Sequence, residues 1–171
     1  ERRNLADQTS EAPATGALSL RARSDLTGRS IQACPTDARV VALSDSKSTL
    51  WSAVSAYRDG GTTAGHLGTA WAWYLLSPEW SGVWPSTSRP APYRDGKTIK
   101  AVVLMTDGSY NTIGGVSSGD ASATARQAST IAVGTCEAMR AQGIRVYAVG
   151  FRAPTAALET LRSCASSASS F

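Results

Sequence analysis

The stretch Lys100-Ala-Val-Val-Leu-Met-Thr-Asp-Gly108 decides the fold of this chain. A continuous apolar run of this length between polar flanks is typical of a strand buried on both faces, as in a parallel sheet. The run ends in Thr106, Asp107 and Gly108, which places a carboxylate at the carboxyl end of the strand. Ligands gather at that edge of parallel α/β sheets. A binding site is therefore expected there.

Helices and strands alternate on both sides of this strand. Before it, the sequence predicts a strand over 39–43, a helix that places Leu50, Val54 and Tyr57 on one face and ends at Asp59-Gly60-Gly61, and a helix over 64–76. After it come a predicted helix over 120–141, a strand over 144–151 and a helix over 155–163. This alternation predicts an α/β fold with a mostly parallel sheet flanked by helices.

The segment between the second helix and the apolar strand, residues 79–97, is rich in Pro, Gly, Ser and Trp. Loops of this length seldom stay structureless inside a domain. We therefore expect Trp80, Trp84 and Tyr93 to fold back onto the body of the protein.

Length and composition fit one folded domain. The chain has 171 residues, of which 42% are hydrophobic and 18% are charged. Residues 1–33 lack any apolar period and read as a loose arm or the end of an insertion, so the domain is assigned to residues 34–171. The chain begins at Glu1 rather than Met, and we expect it to be a piece of a longer protein.

Charge and metal-ligand patterns exclude two classes of function. The net charge of +4 comes from scattered cations that form no stripe, so nucleic acid is not an expected partner. The three cysteines form no C-x-x-C pair and the chain has one histidine. A zinc site is therefore not expected.

A glycine loop with two hydroxyls, Gly60-Gly-Thr-Thr-Ala-Gly-His-Leu-Gly68, opens the second helix. Helix N-termini favour anions, but the loop lacks the Gly-Lys-Ser/Thr ending of a phosphate-binding loop and follows no strand directly. For Asp107, two interpretations remain. The carboxylate either accepts N–H groups in the turn before Ser109 and Asn111 or binds a cation.

Taken together, the glycine–threonine loop and the Leu-Met-Thr-Asp-Gly strand end resemble a von Willebrand factor A domain. The segments around them are similar to the C-terminal part of TadG-like (TadE/TadG) proteins of the Flp, or tight-adherence, pilus-assembly group of bacteria. The resemblance covers about Cys34 to Phe171 and is carried by Thr69-Ala-Trp-Ala-Trp-Tyr-Leu-Leu-Ser-Pro-Glu-Trp80, Tyr93-Arg-Asp95, Val102–Gly108 and Leu161-Arg-Ser-Cys-Ala-Ser-Ser167.

The resemblance implies a non-enzymatic adhesion or assembly domain with a metal-ion-dependent adhesion site. By motif, the metal ligands are Thr63 and Asp107, with Ser109, Tyr110 and Asn111 as the partner-binding rim. Such oxygen ligands suit Mg²⁺, or Mn²⁺ or Ca²⁺. The implied partner is a pilus or envelope protein that supplies an acidic side chain, and the implied location is the extracytoplasmic envelope, with any membrane anchor outside this chain.

The sequence departs from the family pattern at the first metal-binding motif. No Asp-x-Ser-x-Ser is present, and Asp45-Ser-Lys-Ser48 has the wrong spacing and is better interpreted as a helix cap. The first strand and its ligands are expected upstream, so metal binding by this chain alone is expected to be weak or absent. The alternative is a structural interaction module with a vestigial metal site, which binds through the Trp80–Trp84 loop.

Cys136, on the long helix, and Cys164, after the last helix, are disulfide candidates, because sequential elements of an α/β fold are usually neighbours. Two buried free thiols are the alternative, and the extracytoplasmic location that the resemblance implies favours the disulfide. Cys34 would then be left over, to pair with a cysteine upstream.

An enzymatic interpretation rests on Gly115-Val-Ser-Ser-Gly119, which fits the spelling of a hydrolase nucleophile elbow. That motif needs a strand directly before the serine and a histidine after it. The sequence supplies neither.

Overall fold

The computed structural model describes residues 8–13, 39–58, 61–114 and 116–171. Within these ranges the fold is α/β, with four α-helices, one parallel strand pair and one short antiparallel pair. The elements in chain order are α1 (Lys47–Ala56), α2 (Gly65–Leu76), β1 (Ala101–Thr106), β2 (Thr112–Ile113), β3 (Val116–Ser117), α3 (Ala123–Ala141), β4 (Arg145–Gly150) and α4 (Thr155–Cys164).

Strands β1 and β4 form a parallel pair that anchors the core. Val102 pairs with Val146 and Leu104 pairs with Ala148, and all four side chains are buried on the same face. Helices α2, α3 and α4 contact these strands. The resulting core contains Ala70, Trp73, Tyr74, Trp80, Val102, Leu104, Cys136, Met139, Ile144, Val146, Ala148, Leu161 and Cys164.

The turn from α3 into β4 depends on a glycine. Gly143 has a φ of +83°, a left-handed conformation that side chains disfavour. This turn lets Ile144 donate its N–H to the carbonyl of Met139 at 3.1 Å, which closes the helix end. The predicted end of this helix at residue 141 is confirmed, and the helix begins three residues later than predicted, at Ala123.

The prediction that the central strand is buried on both faces is wrong for the described part of the chain. Along β1, exposed and buried residues alternate: Val103 is 64% exposed and Met105 is 69% exposed. Tyr147 and Val149 on β4 are each 39% exposed. The described helices cover only one face of the sheet, and a run of apolar residues cannot reveal how many faces have a covering layer.

The strand predicted over 39–43 is not formed, since this segment has irregular backbone and pairs with no described strand. A strand needs a hydrogen-bonding neighbour, and apolar composition alone does not supply one.

The helix predicted next is present as α1, with the hydroxyl of Ser46 accepting the N–H of Thr49 at 3.3 Å. It ends at Ala56, and none of its residues is buried. Its predicted apolar face is exposed at Leu50, Val54 and Tyr57.

The aromatic residues of segment 79–97 fold back onto the body, as predicted. Trp80 is 3% exposed. The indole N–H of Trp84 donates to the carbonyl of Tyr74 at 2.9 Å, and the hydroxyl of Tyr93 accepts the indole N–H of Trp73 at 3.0 Å. Two short 3₁₀ helices, Pro78–Trp80 and Ser86–Ser88, give the segment its local structure.

Of the N-terminal arm, the structure describes residues 8–13, which lie against the body, with the side chain of Gln8 buried. The proposed boundary between residues 33 and 34, and Cys34 itself, lie outside the described residues.

Cys136 on α3 and Cys164 at the end of α4 form a disulfide, with Cα atoms 5.1 Å apart. Both residues are completely buried. The bond joins two helices that pack on the same face of the β1–β4 pair.

Alanine substitution at two adjacent valines tests the one-sided sheet. Val102→Ala is expected to lower the free energy of unfolding by about 2 kcal/mol, because Val102 is buried, whereas Val103→Ala is expected to change it by less than about 0.5 kcal/mol. Urea denaturation of the two variants measures both values. Equal losses of stability at the two positions would show that the face carrying Val103 and Met105 is also buried in solution.

Removal of the disulfide tests its contribution to stability. Its two cysteines are 28 residues apart in sequence, and the loop-closure estimate for such a crosslink is about 3–4 kcal/mol. Cys136→Ala combined with Cys164→Ala is expected to lose roughly this amount in urea denaturation, while Cys34→Ala is the matched single-thiol control. Insensitivity of the wild-type midpoint to a reducing agent would contradict the expectation.

Candidate functional site

The carboxyl end of β1 leads into a tight turn. The hydroxyl of Thr106 accepts the N–H of Gly108 at 3.2 Å and donates to the carbonyl of the same residue at 2.9 Å. Asp107 lies between them and is exposed. Its carboxylate makes no hydrogen bond to another described residue, so the turn is closed by Thr106 and the carboxylate is left available.

The glycine–threonine loop is fastened to this turn by two reciprocal hydrogen bonds. Thr63 donates its N–H to the side-chain oxygen of Asn111 at 3.0 Å, and Asn111 donates its N–H to the carbonyl of Thr63 at 3.0 Å. The hydroxyl of Thr63 lies 3.1 Å from the position a Cβ would take on Gly108. The two predicted metal-binding segments therefore meet at the carboxyl edge of the sheet.

A second contact locks the start of α2 beneath the turn. A Cβ added to Gly65 would lie 2.0 Å from the ring of Tyr110, so the ring occupies the space that any other residue would need. Tyr110 is 4% exposed, and its burial raises the pKa of its hydroxyl. The glycine at this position is required by the close approach of that ring.

The three predicted rim residues differ in accessibility. Ser109 and Tyr110 are buried, and only Asn111 is half-exposed. Asn111 joins the two loops, and its partner in that contact is the backbone of Thr63. The family resemblance implied that Asn111 is on a partner-binding rim, and its hydrogen bonding to Thr63 was not predicted. The available signal was an asparagine shortly after a strand end, a common turn residue.

Ser109 contributes an unusual polar atom. Its hydroxyl oxygen is buried and has no hydrogen-bond partner among the described residues. Leaving a buried hydroxyl unsatisfied costs about 1–3 kcal/mol. A buried oxygen of this kind, two residues after an unengaged carboxylate in the sequence, is consistent with a site that takes a further ligand.

The oxygens of Thr63, Asp107 and Ser109 are the hard donors that Mg²⁺ and Ca²⁺ prefer. Their number is small, because these cations take six or more oxygen ligands. The described residues contain no group of three or more His, Cys, Asp or Glu side chains placed to hold a metal. The donor chemistry therefore fits a divalent cation, but firm binding requires ligands from beyond these three residues.

The nucleophile-elbow interpretation of Ser117 does not match the local backbone. Ser117 lies in β3 and pairs with Thr112 across a short antiparallel hairpin, whereas an elbow places its serine on a strand-to-helix turn. Gly115 lies outside the described residues. His66 lies on α2 and is buried.

Comparisons with protein-family models, curated proteins and solved structures give no match to this chain. The structure establishes the α/β class, and the von Willebrand factor A resemblance remains an inference from the sequence segments that carry it. Among the described helices, none is both long and apolar enough to cross a bilayer.

Substitution of two glycines in α2 tests the contact beneath the turn. Gly65→Ala is expected to lose about 2 kcal/mol of stability or more, because the new methyl group overlaps the Tyr110 ring. Gly68→Ala, three residues along the same helix, meets no atom within 4 Å and is expected to gain about 0.5–1 kcal/mol from helix propensity. Thermal denaturation of both variants measures the difference; a stabilising Gly65→Ala would refute the packing described above.

Proposed function

We propose that this chain is the C-terminal portion of a von Willebrand factor A-type domain from a TadG-like envelope protein that takes part in Flp-type pilus assembly. In this proposal the domain is non-enzymatic and binds a pilus or envelope protein through a divalent cation. The observation that carries the proposal is the paired hydrogen bonding of Thr63 and Asn111, which brings the glycine–threonine loop against the Thr-Asp-Gly turn.

Within that site, the Thr63 hydroxyl and the Asp107 carboxylate would hold the metal from two loops. An Asp-x-Ser-x-Ser motif in upstream polypeptide would supply the remaining protein ligands. The cation would be Mg²⁺, Mn²⁺ or Ca²⁺, and it would also bind an acidic side chain of the partner. The free carboxylate of Asp107 and the buried hydroxyl of Ser109 support this assignment.

The exposed apolar face of β1 and β4 supports the idea that the domain is incomplete. Val103 and Met105 have the composition of a core but lie open to solvent in the described part of the chain. Further strands and a covering layer from an upstream segment would bury them. The same upstream segment would carry the missing metal ligands.

The disulfide between Cys136 and Cys164 supports an extracytoplasmic location. Such bonds form and persist in oxidising compartments and are rare in the cytosol. Any membrane anchor would lie outside this chain.

The second candidate function is a structural interaction module whose metal site is vestigial. The small number of acidic side chains at the site favours it. Binding through the Trp80–Trp84 loop is the weaker part of this alternative, because Trp80 is buried and the indole N–H of Trp84 is already bonded to the backbone.

A manganese titration tests the metal site. Mn²⁺ is expected to bind this chain weakly, with a dissociation constant of about 1 mM or weaker, because the few protein oxygens at the site leave most coordination positions to water. Asp107→Ala and Thr63→Val are each expected to weaken binding further, and Asp120→Ala, at an exposed aspartate outside the site, is the matched control.

Electron paramagnetic resonance of free Mn²⁺ measures the bound fraction for each variant. Equal binding by wild type and Asp107→Ala would remove the adhesion-site proposal and leave the structural module.

A further inference from the structure

Residues 8–13 occupy a site at the C-terminal end of α2. The site is formed by four side chains that donate hydrogen bonds toward this segment, and we refer to them together as the donor pocket. Its members are Tyr74, Ser77, Trp80 and Tyr93.

Two members of the donor pocket bind the carboxylate of Glu11. The hydroxyl of Ser77 donates to its Oε1 at 2.5 Å, and the hydroxyl of Tyr93 donates to the same atom at 2.6 Å. Ser77 is completely buried. Hydrogen bonds to a charged acceptor are about twice as strong as neutral ones, so the pocket selects for an acidic side chain at this position.

The other two members bind the main chain on either side. The indole N–H of Trp80 donates to the carbonyl of Glu11 at 2.7 Å, and the hydroxyl of Tyr74 donates to the carbonyl of Ser10 at 3.4 Å. Contacts to two successive carbonyls fix the position of a peptide along the pocket. The site therefore recognises a peptide backbone together with one carboxylate.

The donors are held in place by the body of the protein. The Tyr93 hydroxyl accepts the indole N–H of Trp73 at 3.0 Å, and the Ser77 hydroxyl accepts the N–H of Glu79 at 3.1 Å. The rings of Tyr74 and Trp80 stack at a centroid distance of 4.1 Å. A pocket whose donors are already oriented loses less entropy when it binds a peptide.

The side-chain ammonium group of Lys100 lies next to Tyr93 of the donor pocket. The ammonium of Lys100 is 5.0 Å from the centre of the Tyr93 ring and donates to the carbonyls of Leu76 and Ala91. Its charge attracts a carboxylate, and the burial of Lys100 reduces screening by salt. Burial, with the hydrogen bond to Glu11 next, raises the pKa of Tyr93 to about 12, so its hydroxyl keeps the proton that it donates.

The resident segment satisfies every member of the donor pocket. Its two carbonyls and its carboxylate accept all four hydrogen bonds, and Trp80 and Ser77 are buried with this segment in place. A buried donor that lacks an acceptor costs about 1–3 kcal/mol, so an occupant that covers the pocket must offer two carbonyls and a carboxylate in this arrangement. The covalent attachment of residues 8–13 to the rest of the chain gives them a high effective concentration.

We propose that the donor pocket is a recognition site for a glutamate-containing peptide segment of a partner protein, in which small residues flank the glutamate. Residues 8–13 are its resident occupant, and the partner segment displaces them. The pocket lies at the opposite end of α2 from Thr63, about 18 Å away along a helix of this length. It requires no metal and is independent of the proposed adhesion site.

A binding experiment with a free peptide tests the proposal. The probe is a fluorescein-labelled peptide with the sequence of residues 7–14, Asp-Gln-Thr-Ser-Glu-Ala-Pro-Ala, and a second peptide carries Gln in place of Glu at the position of Glu11. The full chain with Glu11→Ala, which weakens the resident occupant, is titrated against each peptide in EDTA by fluorescence anisotropy.

The Glu peptide is expected to bind the Glu11→Ala chain about tenfold more tightly than the Gln peptide does, because two hydrogen bonds to a charged acceptor become neutral ones. It is also expected to bind this variant at least about tenfold more tightly than it binds wild type, in which the resident segment competes. If circular dichroism shows that Glu11→Ala does not fold, the isosteric Glu11→Gln chain replaces it, with the same expected order.

Matched tyrosine variants locate the binding. Tyr93→Phe, added to Glu11→Ala, is expected to remove most of the preference for the Glu peptide, whereas Tyr57→Phe, at an exposed tyrosine on the end of α1, is expected to leave it unchanged. Equal affinity for the two peptides, equal binding by wild type and variant, or no saturable binding by a folded variant would each overturn the proposal. Because EDTA is present, failure here leaves the metal-dependent function untouched.

Discussion

The arrangement of this molecule depends on how the loop before α2 is fastened to the loop after β1. Thr63 and Asn111 exchange two hydrogen bonds across 48 positions of sequence, and the Tyr110 ring fills the space above Gly65. Thr63 directly precedes Ala64, the N-cap residue of α2, so these hydrogen bonds fix the chain where it enters the helix. The same contacts bring the Thr63 hydroxyl beside Gly108. The contacts that orient α2 therefore also form the candidate site.

The β1–β4 pair explains why the domain has two different surfaces. Both faces of this parallel pair carry apolar residues, and parallel sheets are usually covered on both faces. Helices α2, α3 and α4 cover Val102 and Leu104, and no described element covers Val103 and Met105. The upstream polypeptide that we propose would cover this face and would also supply further ligands at the sheet edge.

The sequence predicted those features that depend on local chemistry. Gly143 ends α3 because a left-handed residue is needed there, and the apolar runs at 101–105 and 144–149 both contain strands. Features that depend on neighbours were not predictable. Residues 39–43 have strand composition but no pairing partner in the described chain, and the outer face of β1 has core composition but no cover. At the site, the proximity of the Thr63 and Asp107 segments was expected from motifs. The hydrogen bonding of Asn111 to Thr63 and the unsatisfied hydroxyl of Ser109 could be seen only in the structure.

Helix α2 runs from the proposed metal site near Thr63 to the donor pocket. Its N-terminus is fixed by the Gly65–Tyr110 contact, and its C-terminus leads into Ser77 and Trp80, whose donors face residues 8–13. Between them the helix packs on α3 and β1. This packing sets the position of the two sites relative to each other, and coupling between them would require an element with two arrangements. A partner that displaced residues 8–13 would therefore add affinity to a metal-bridged contact through simultaneous engagement, with no change in the metal site itself.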